Sequence, residues 1–311
     1  MQRSVLFSLF PASMPAPLKS GLLLALGISV LGVSDSLVPL ISDDMGLGQF
    51  HFLRSIIAVT GVLIIARTTG LGLWPERWTA VLCRSAAIII AMLLFFSVLS
   101  FLPSAVAGAG LFTSPIFVLI LLAICYRLLP GKRRLIAVGL GSAGVWLVLR
   151  PDMAGFNALH IIPVIAGAFY AGNIVITNRY CADESPMCLS LFYFTGLGLA
   201  GLGVACWFSL FPSQLGGDTR FMMAGFDMIS LSSLFWVIVM AVLTIISVWM
   251  LTVAYQSADA SYLVVFEYSY LISAGIAGWL IWGNLLSLSN IAGMVLIIGA
   301  GSFISRRTAT I

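Results

Sequence analysis

Apolar stretches of about 20 residues follow one another along almost the whole chain, separated by short segments that contain charged residues, proline or glycine. A helix rises about 1.5 Å per residue, so a stretch of this length spans the hydrocarbon core of a bilayer. Charged residues make up only 8% of the 311 positions, whereas soluble domains contain roughly 25%. Such a chain cannot cover itself with a water-soluble surface, and we expect it to cross a membrane many times.

The stretches predict an all-α polytopic membrane protein with ten transmembrane helices. Because backbone polar groups in lipid must be paired within their own segment, each stretch is interpreted as a helix rather than a strand. Short connections make consecutive helices antiparallel neighbours and leave no room for a soluble domain. The predicted helices lie at about 20–40, 50–66, 79–100, 104–126, 134–149, 159–178, 187–211, 232–255, 260–283 and 287–304.

The lysine and arginine residues predict the orientation, since cytoplasmic loops are enriched in both. With a cytoplasmic N-terminus, twelve of these residues fall on the inner side and three, Arg54, Arg150 and Arg220, on the outer side. We therefore expect both termini in the cytoplasm, the loop 212–231 in the periplasm and the protein in a bacterial inner membrane. The twelve inner residues are Arg3, Lys19, Arg67, Arg77, Arg84, Arg127, Lys132, Arg133, Arg134, Arg179, Arg306 and Arg307.

The reactive residues argue against several functional classes. The five cysteines are scattered without metal-ligand spacing, and the two histidines, His51 and His160, lie at predicted helix ends. No Walker-type loop, GxSxG motif or HExxH motif occurs in the sequence. We expect no metal and no cofactor. The basic residues sit at helix ends and form no basic face, so we expect no nucleic-acid partner.

Internal correspondences indicate that five helices are repeated. An offset of 156 residues aligns the segments that open helices 4 and 9, 103–105 and 259–261, and it pairs Arg127 with Gly283. A second alignment places 170–173 beside 32–35, which makes Asp35 and Asn173 candidate symmetry mates. An odd number of helices per repeat inserts the two halves in opposite orientations. The expected division is a cytoplasmic segment at 1–19, a first repeat at 20–150, a second repeat at 159–304 and a cytoplasmic tail at 305–311.

Two groups of motifs carry a family resemblance. One runs from Ser114-Pro115-Ile116-Phe117 through 136–139 to 144–147, and the other runs from Phe266-Glu267-Tyr268 to 278–280. From residue 22 to residue 307 the chain resembles the drug/metabolite transporter superfamily, in its bacterial EamA-type branch, and both predicted repeats are of this type. The resemblance implies ten helices, two cytoplasmic termini and a central cavity walled by both halves. The family often has Gly-Glu at the ends of helices 4 and 9. This chain has Arg127-Leu128 at the end of helix 4 and Gly283-Asn284 at the end of helix 9.

Three charged residues within the apolar stretches are candidates for function, because each costs at least about 2.5 kcal/mol to insert. Glu267 lies about 12 Å into helix 9, near the membrane midplane. It is a candidate for the substrate cavity and for gating or proton coupling, and the alternative is a packing carboxylate. Asp35 and Arg54 are expected at similar depth near the outer side, as gate or coupling residues. An ion pair that braces a gate is one alternative, capture of a substrate carboxylate by Arg54 is another, and a simple location at the membrane interface is a third.

Polar and aromatic residues at middle depth form a second set of candidates. Their aromatic faces can receive an apolar or cationic group. For any one of them, helix packing or a hydrogen bond to the preceding turn is the alternative. Pro115 is expected to kink helix 4. The remaining substrate-cavity candidates are Asn173, Tyr170, Ser34, Thr113, Ser114, Trp249 and Tyr270, with Tyr268 beside them.

These features favour a secondary transporter that moves a small organic metabolite, such as an amino acid or a related solute, by alternating access. The energy is expected to come from a proton gradient or from exchange of solutes, and the resemblance slightly favours export. An intramembrane enzyme is the alternative that the missing motifs disfavour. A structural or sensory membrane protein is disfavoured by the repeat. The expected partners are the solute and the lipid bilayer, and the sequence is also compatible with a homodimer.

Overall fold

The computed structural model describes residues 10–11, 13–98, 110–127, 130–149, 161–212, 220–283 and 288–305. Within these ranges the chain is helical and contains no strand. Seven of the described helical spans are long and apolar enough to cross a membrane. The main helices are α1 (Ala16–Asp35), α2 (Leu47–Thr69), α3 (Trp78–Ser97), α4 (Ser114–Tyr126), α5 (Lys132–Leu149), α6 (Ile161–Tyr180), α7 (Pro186–Leu210), α8 (Leu231–Ser257), α9 (Ala260–Trp282) and α10 (Leu288–Ser305).

Two helices depart from a regular α-helix within the apolar stretches that predicted them. The span α9 contains a 3-10 segment, Val264–Tyr268, between its two α-helical parts. The helix α4 begins after a turn at Phe112 and Thr113, and Pro115 lies in its first turn, where the missing N–H of proline is tolerated. The first part of the predicted helix 4, as far as residue 109, lies outside the described residues.

The helices α4 and α9 end in the same way. Arg127 and Gly283 adopt the left-handed conformation, with φ of 53° and 68°. Each donates its backbone N–H to the carbonyl five residues earlier, that of Leu122 or Gly278. Glycine enters this conformation without steric cost, whereas arginine does so rarely. The two residues that the offset of 156 pairs therefore occupy equivalent cap positions.

The closest helix pairs are related to one another when each helix number is exchanged for the one five away. The pair α1–α8 corresponds in this way to α6–α3, and α1–α9 corresponds to α6–α4. The pairs α2–α7 and α5–α10 correspond to themselves. The helices of the two halves therefore interleave, because most of the closest neighbours come from opposite halves.

The helices α2 and α7 cross with their backbones almost in contact. A Cβ atom on Gly201 would lie 2.8 Å from the carbonyl oxygen of Gly48 and 2.9 Å from the Cβ of His51. A Cβ on Gly48 would lie 2.6 Å from the backbone nitrogen of Ala205. Small residues at such positions let membrane helices approach closely. The crossing therefore requires glycine on both sides.

A polar network that we call the Glu184 layer joins the two halves at one end of the bundle. The carboxylate of Glu184 accepts hydrogen bonds from the backbone N–H groups of Glu76, at 3.1 Å, and Arg77, at 2.6 Å. The Gln256 amide at the end of α8 donates to the carbonyl oxygens of Cys181 and Glu184, at 2.6 and 2.7 Å. These bonds pair backbone N–H groups before α3 and backbone carbonyl groups between α6 and α7.

One ion pair strengthens the same end. The guanidinium of Arg134, near the start of α5, donates to the carboxylate of Asp259 at 3.2 Å and also to the Ser261 hydroxyl. Asp259 caps the start of α9 by accepting the backbone N–H of Ser261 at 2.9 Å. This contact adds a second connection between the halves to the Glu184 layer.

A second network, the Asp44 layer, joins the halves at the opposite end of α8. The hydroxyls of Ser230 and Ser233 both donate to the carboxylate of Asp44, each at 2.6 Å. These hydrogen bonds, from Ser230 first, lower the pKa of Asp44 below its usual value of 3.8, so the carboxylate is charged at neutral pH. The Gln49 amide exchanges two hydrogen bonds with the backbone of Asp227, at 2.8 and 3.0 Å.

Candidate functional site

A cavity lies in the centre of the bundle between the two layers, and its walls come from α1, α2, α3, α6, α7 and α8. Its volume is about 80 Å³, which is room for several water molecules. Along α3 it extends from Arg84 to Phe96, about 18 Å at 1.5 Å per residue. The lining residues are Leu31, Asp35, Arg54, Arg84, Ile88, Met92, Phe96, Tyr170, Asn173, Thr177, Tyr193, Thr244, Val248, Leu251, Thr252 and Tyr255.

Arg84 forms the end of the cavity that lies toward the Glu184 layer. Its side chain is buried, and its three nitrogens donate to the hydroxyl of Thr177 at 3.0 Å, the carbonyl oxygen of Leu189 at 2.9 Å and the hydroxyl of Thr252 at 3.4 Å. All three acceptors are uncharged. The positive charge of Arg84 is therefore placed in the interior by helices α3, α6, α7 and α8 without a carboxylate in contact.

Asp35 and Arg54 lie at the other end of the cavity, toward the Asp44 layer. The Tyr270 hydroxyl donates to the carboxylate of Asp35 at 2.9 Å. Arg54 lies 3.2 Å from Nδ1 of His51 and stacks on the ring of Phe50, with 4.7 Å from its Cζ to the ring centroid. The ion pair that is one alternative for Asp35 and Arg54 is not formed in this structure, because the described residues contain no contact within 4.0 Å between the two and each group is held by other partners.

Glu267 lies behind the cavity wall. Its Oε1 atom accepts hydrogen bonds from the hydroxyls of Tyr170, at 3.0 Å, and Tyr255, at 2.6 Å, and both tyrosines line the cavity. The side chain is only 1% exposed, and the 3-10 segment of α9 presents it to α6 and α8. The sequence placed Glu267 among the cavity-lining candidates, whereas in the structure it reaches the cavity through two tyrosines.

Some of the other candidates from the sequence line the cavity, and the rest lie outside its lining. Tyr170 and Asn173 line the cavity, and the amide oxygen of Asn173 is buried without a hydrogen-bond partner. Thr113 bonds the carbonyl oxygen of Gly110 in its own turn, which is the packing alternative, and Tyr268 bonds Ser142 at 3.0 Å. Three further candidates have buried polar atoms without hydrogen-bond partners and lie outside the lining: Ser34, Ser114 and Trp249.

Sequence reasoning missed several lining residues, above all Arg84. It was counted among the basic residues that mark the cytoplasmic side, but in the structure it is 5% exposed and lines the cavity. Its position six residues inside α3 was the available signal, since a charged residue within a membrane helix is a functional candidate. Thr177, Thr252 and Tyr255 gave no comparable signal, because hydroxyl groups are common at helix contacts.

The described residues contain no cluster of three or more histidine, cysteine, aspartate or glutamate side chains able to hold a metal ion. The arrangement offers instead two guanidinium groups, one carboxyl group and unpaired hydrogen-bonding atoms around a small interior space. Buried groups of this kind can bind and release a polar solute without forming a covalent bond.

Comparisons with known proteins relate the chain to membrane transporters. Residues 19–150 match the EamA-like transporter family. The chain is 26% identical over 204 residues to a riboflavin transporter of Brucella anthropi, an alignment that covers 63% of this chain and 65% of the relative, just under two thirds of its length. It is 24% identical over 300 residues to a pseudopaline exporter of Pseudomonas aeruginosa, covering 93% of this chain and 97% of the relative.

A solved crystal structure has the same fold. It superposes with a TM-score of 0.72 at 16% sequence identity, over 92% of this chain and 97% of that chain. The family that residues 19–150 match and both of these relatives are named as transporters or exporters. The apolar spans indicate a multi-pass membrane protein, and residues 19–150 are an EamA-like domain of the drug/metabolite transporter superfamily.

Proposed function

We propose that the protein is a secondary transporter that carries a small organic solute through the central cavity by alternating access. The observation that carries the proposal is the cavity itself, with buried polar groups in its lining and a polar layer beyond each end. A solute larger than a few water molecules needs more room than the present cavity has. Binding therefore requires the two halves to move apart at one layer while the other layer stays closed.

The proposal includes two inverted repeats of five helices, 20–150 and 159–304, with ten membrane crossings. The exchange of helix numbers that relates the closest helix pairs supports it, as do the matching caps at Arg127 and Gly283. The cavity walls fit the same scheme, because α1, α2 and α3 correspond to α6, α7 and α8. Such symmetry provides two states of similar structure, one open to each side.

Several finer points belong to the same proposal. In a bacterial inner membrane with both termini in the cytoplasm, the Glu184 layer faces the cytoplasm and the Asp44 layer faces the periplasm. The solute is an amino acid or a related metabolite, and export is the favoured direction. Glu267, Asp35 and Arg54 are the gating or coupling residues, with a proton or an exchanged solute as the second partner.

The orientation predicts the outcome of a reporter experiment. Tags at Met1 and Ile311 are expected to report the cytoplasm, and a tag at Gly216 to report the periplasm, because lysine and arginine segregate to one side. Alkaline phosphatase and fluorescent-protein fusions at these positions measure the location directly. Termini on opposite sides would contradict the even number of crossings.

Filling the cavity is expected to block transport without unfolding the protein. Val248 lines the cavity, so Val248→Phe should lower solute flux several-fold by occupying the space of the solute. Val242, on the same helix but 46% exposed, provides the matched control Val242→Phe. A thermal-shift screen against a metabolite library supplies the solutes, and flux in proteoliposomes is then compared between the variants. Equal flux in the two variants would show that solute does not pass through this cavity.

A further inference from the structure

We propose that the Arg84 end of the cavity binds an anionic group, a carboxylate or a phosphate, of the transported solute. The proposal rests on the proposed function, because it names the chemical class of solute that the same cavity carries. Its basis is the guanidinium of Arg84, which lines the cavity and is only 5% exposed.

The hydrogen bonding of Arg84 is incomplete. A guanidinium has five N–H donors in a fixed fork, and the structure pairs three of them, with Thr177, Leu189 and Thr252. One N–H group on each terminal nitrogen has no hydrogen-bond partner among the described residues. These two N–H groups are available as donors to the oxygens of a carboxylate or phosphate.

The charge of Arg84 also lacks a counter-ion. Among the described residues, the ion pairs closer than 4.0 Å are Arg134–Asp259 and Arg220–Asp227, and both lie outside the cavity. A buried charge without a partner is costly, by several kcal/mol on the scales for a membrane interior or a protein core. An anion that enters the cavity removes part of this cost, and so an anionic solute gains binding energy that a neutral solute does not.

Hydrogen bonds to three helices hold the guanidinium of Arg84 in a fixed orientation. The Thr177 hydroxyl donates its own proton to the carbonyl oxygen of Asn173 at 2.8 Å, so it meets Arg84 as an acceptor. Thr252 and Leu189 hold the terminal nitrogens from α8 and α7. A group fixed from three helices binds without losing much freedom when the solute arrives.

The side chains near Arg84 indicate which other chemical groups the solute has. Asn173 lies one helical turn from Thr177, about 6 Å along the axis, and its buried amide oxygen has no partner. It can accept a hydrogen bond from an N–H or O–H group of the solute. Ile88, Met92 and Val248 form an apolar wall beyond it. The matching solute is an amphipathic organic anion with a hydrogen-bond donor near its acidic group.

Arg54 is less suited to this role. It contacts His51 and Phe50, and it shares its end of the cavity with the carboxylate of Asp35. An anion there meets a negative charge as well as a positive one. The Arg84 end has no carboxylate in the lining, which places the anion at that end.

The test compares ligands that differ in the acidic group. N-acetyl-L-tryptophan and N-acetyl-L-tryptophanamide have the same ring and the same acetamide, and phenyl phosphate provides the phosphate alternative. Binding is measured with the full chain in detergent by thermal shift and calorimetry. The wild-type protein is expected to prefer the acid over the amide by about tenfold to a hundredfold, the range of one charge-assisted hydrogen bond. Tighter binding of phenyl phosphate than of the tryptophan acid would identify phosphate as the preferred group.

Variants of Arg84 test whether this residue causes the preference for the acid over the amide. In Arg84→Gln the acid and the amide should bind equally, and Arg84→Lys should recover only part of the preference because it keeps the charge without the fork. Arg67→Gln, an exposed arginine on α2, should leave the preference unchanged. A purely structural role would lower the melting temperature of Arg84→Gln without changing the ratio of the two affinities. If the Arg84 variants do not fold, the wild-type comparison still decides, and equal affinity of wild type for acid and amide would overturn the proposal.

The outcomes for the anion site and for transport are separate. Selective binding of the acid without flux in proteoliposomes would uphold the anion site and reject the transporter function. Saturable flux of a solute, together with no preference for acid over amide, would reject the anion site and leave the transporter function intact.

Discussion

Glu267→Gln is expected to abolish proton-driven accumulation of solute while leaving exchange of solute across the membrane. The carboxyl group accepts hydrogen bonds from Tyr170 and Tyr255, and the glutamine oxygen can accept the same two. The fold and the tyrosine positions should therefore survive. Glutamine cannot take up and release a proton, so a step that couples proton transfer to movement of the cavity tyrosines is lost.

The measurement uses proteoliposomes with and without an imposed pH gradient. Wild type should accumulate solute several-fold when the gradient is imposed, and Glu267→Gln should show no accumulation but near-normal counterflow. Glu76→Gln, which changes an exposed carboxylate, should behave as wild type. Tyr255→Phe tests the connection between Glu267 and the cavity, because it removes one of the two hydroxyl groups that donate to Glu267 and keeps the carboxyl group. Normal accumulation by Glu267→Gln would show that Glu267 is a packing carboxylate.

Gly201→Val is expected to destabilise the protein more than any conservative change in the cavity. A Cβ at this position lies 2.8 Å from the carbonyl oxygen of Gly48, and a backbone atom cannot move aside as a side chain can. Forcing α2 and α7 apart should cost about 3 kcal/mol or more, at the upper end of the range for overpacked interiors. Because α2–α7 is a contact between the two halves, the loss should be visible in yield and in melting temperature.

Gly203→Val is the matched control for this prediction. Gly203 is on the same helix, and a Cβ atom there would have no atom of a neighbouring helix within 4 Å, so valine meets open space. Both substitutions change helix propensity equally, and the difference in melting temperature isolates the contact with α2. Similar melting temperatures for the two variants would show that the crossing is not as close as the structure indicates.

The sequence predicted the helices well because the bilayer imposes their length. The predicted stretches 50–66 and 232–255 correspond to α2 (Leu47–Thr69) and α8 (Leu231–Ser257), and apolar runs between polar ends are enough to locate such helices. The 3-10 segment of α9 was not predicted. No proline marks it, so the break depends on packing against neighbouring helices rather than on a local residue signal.

The candidate site was predictable only in part. Asp35, Arg54, Tyr170 and Asn173 line the cavity, because polar groups inside membrane helices are costly and tend to face an interior space. Their partners were not predictable, as the bond from Tyr270 to Asp35 joins residues far apart in the chain. Arg84 was missed because basic residues near helix ends also mark the cytoplasmic side, and the sequence does not distinguish the two uses.

The two polar layers have a consequence for the energy balance of the transport cycle. Opening the Asp44 layer breaks the bonds of Asp44 and Gln49 to the opposite half, and opening the Glu184 layer breaks those of Glu184 and Arg134. In the proposed cycle each end thus releases a similar small set of hydrogen bonds, so the two layers do not themselves favour one open state over the other. A carrier balanced in this way runs in both directions, and the gradients of the solute and of any coupled proton determine the net flux.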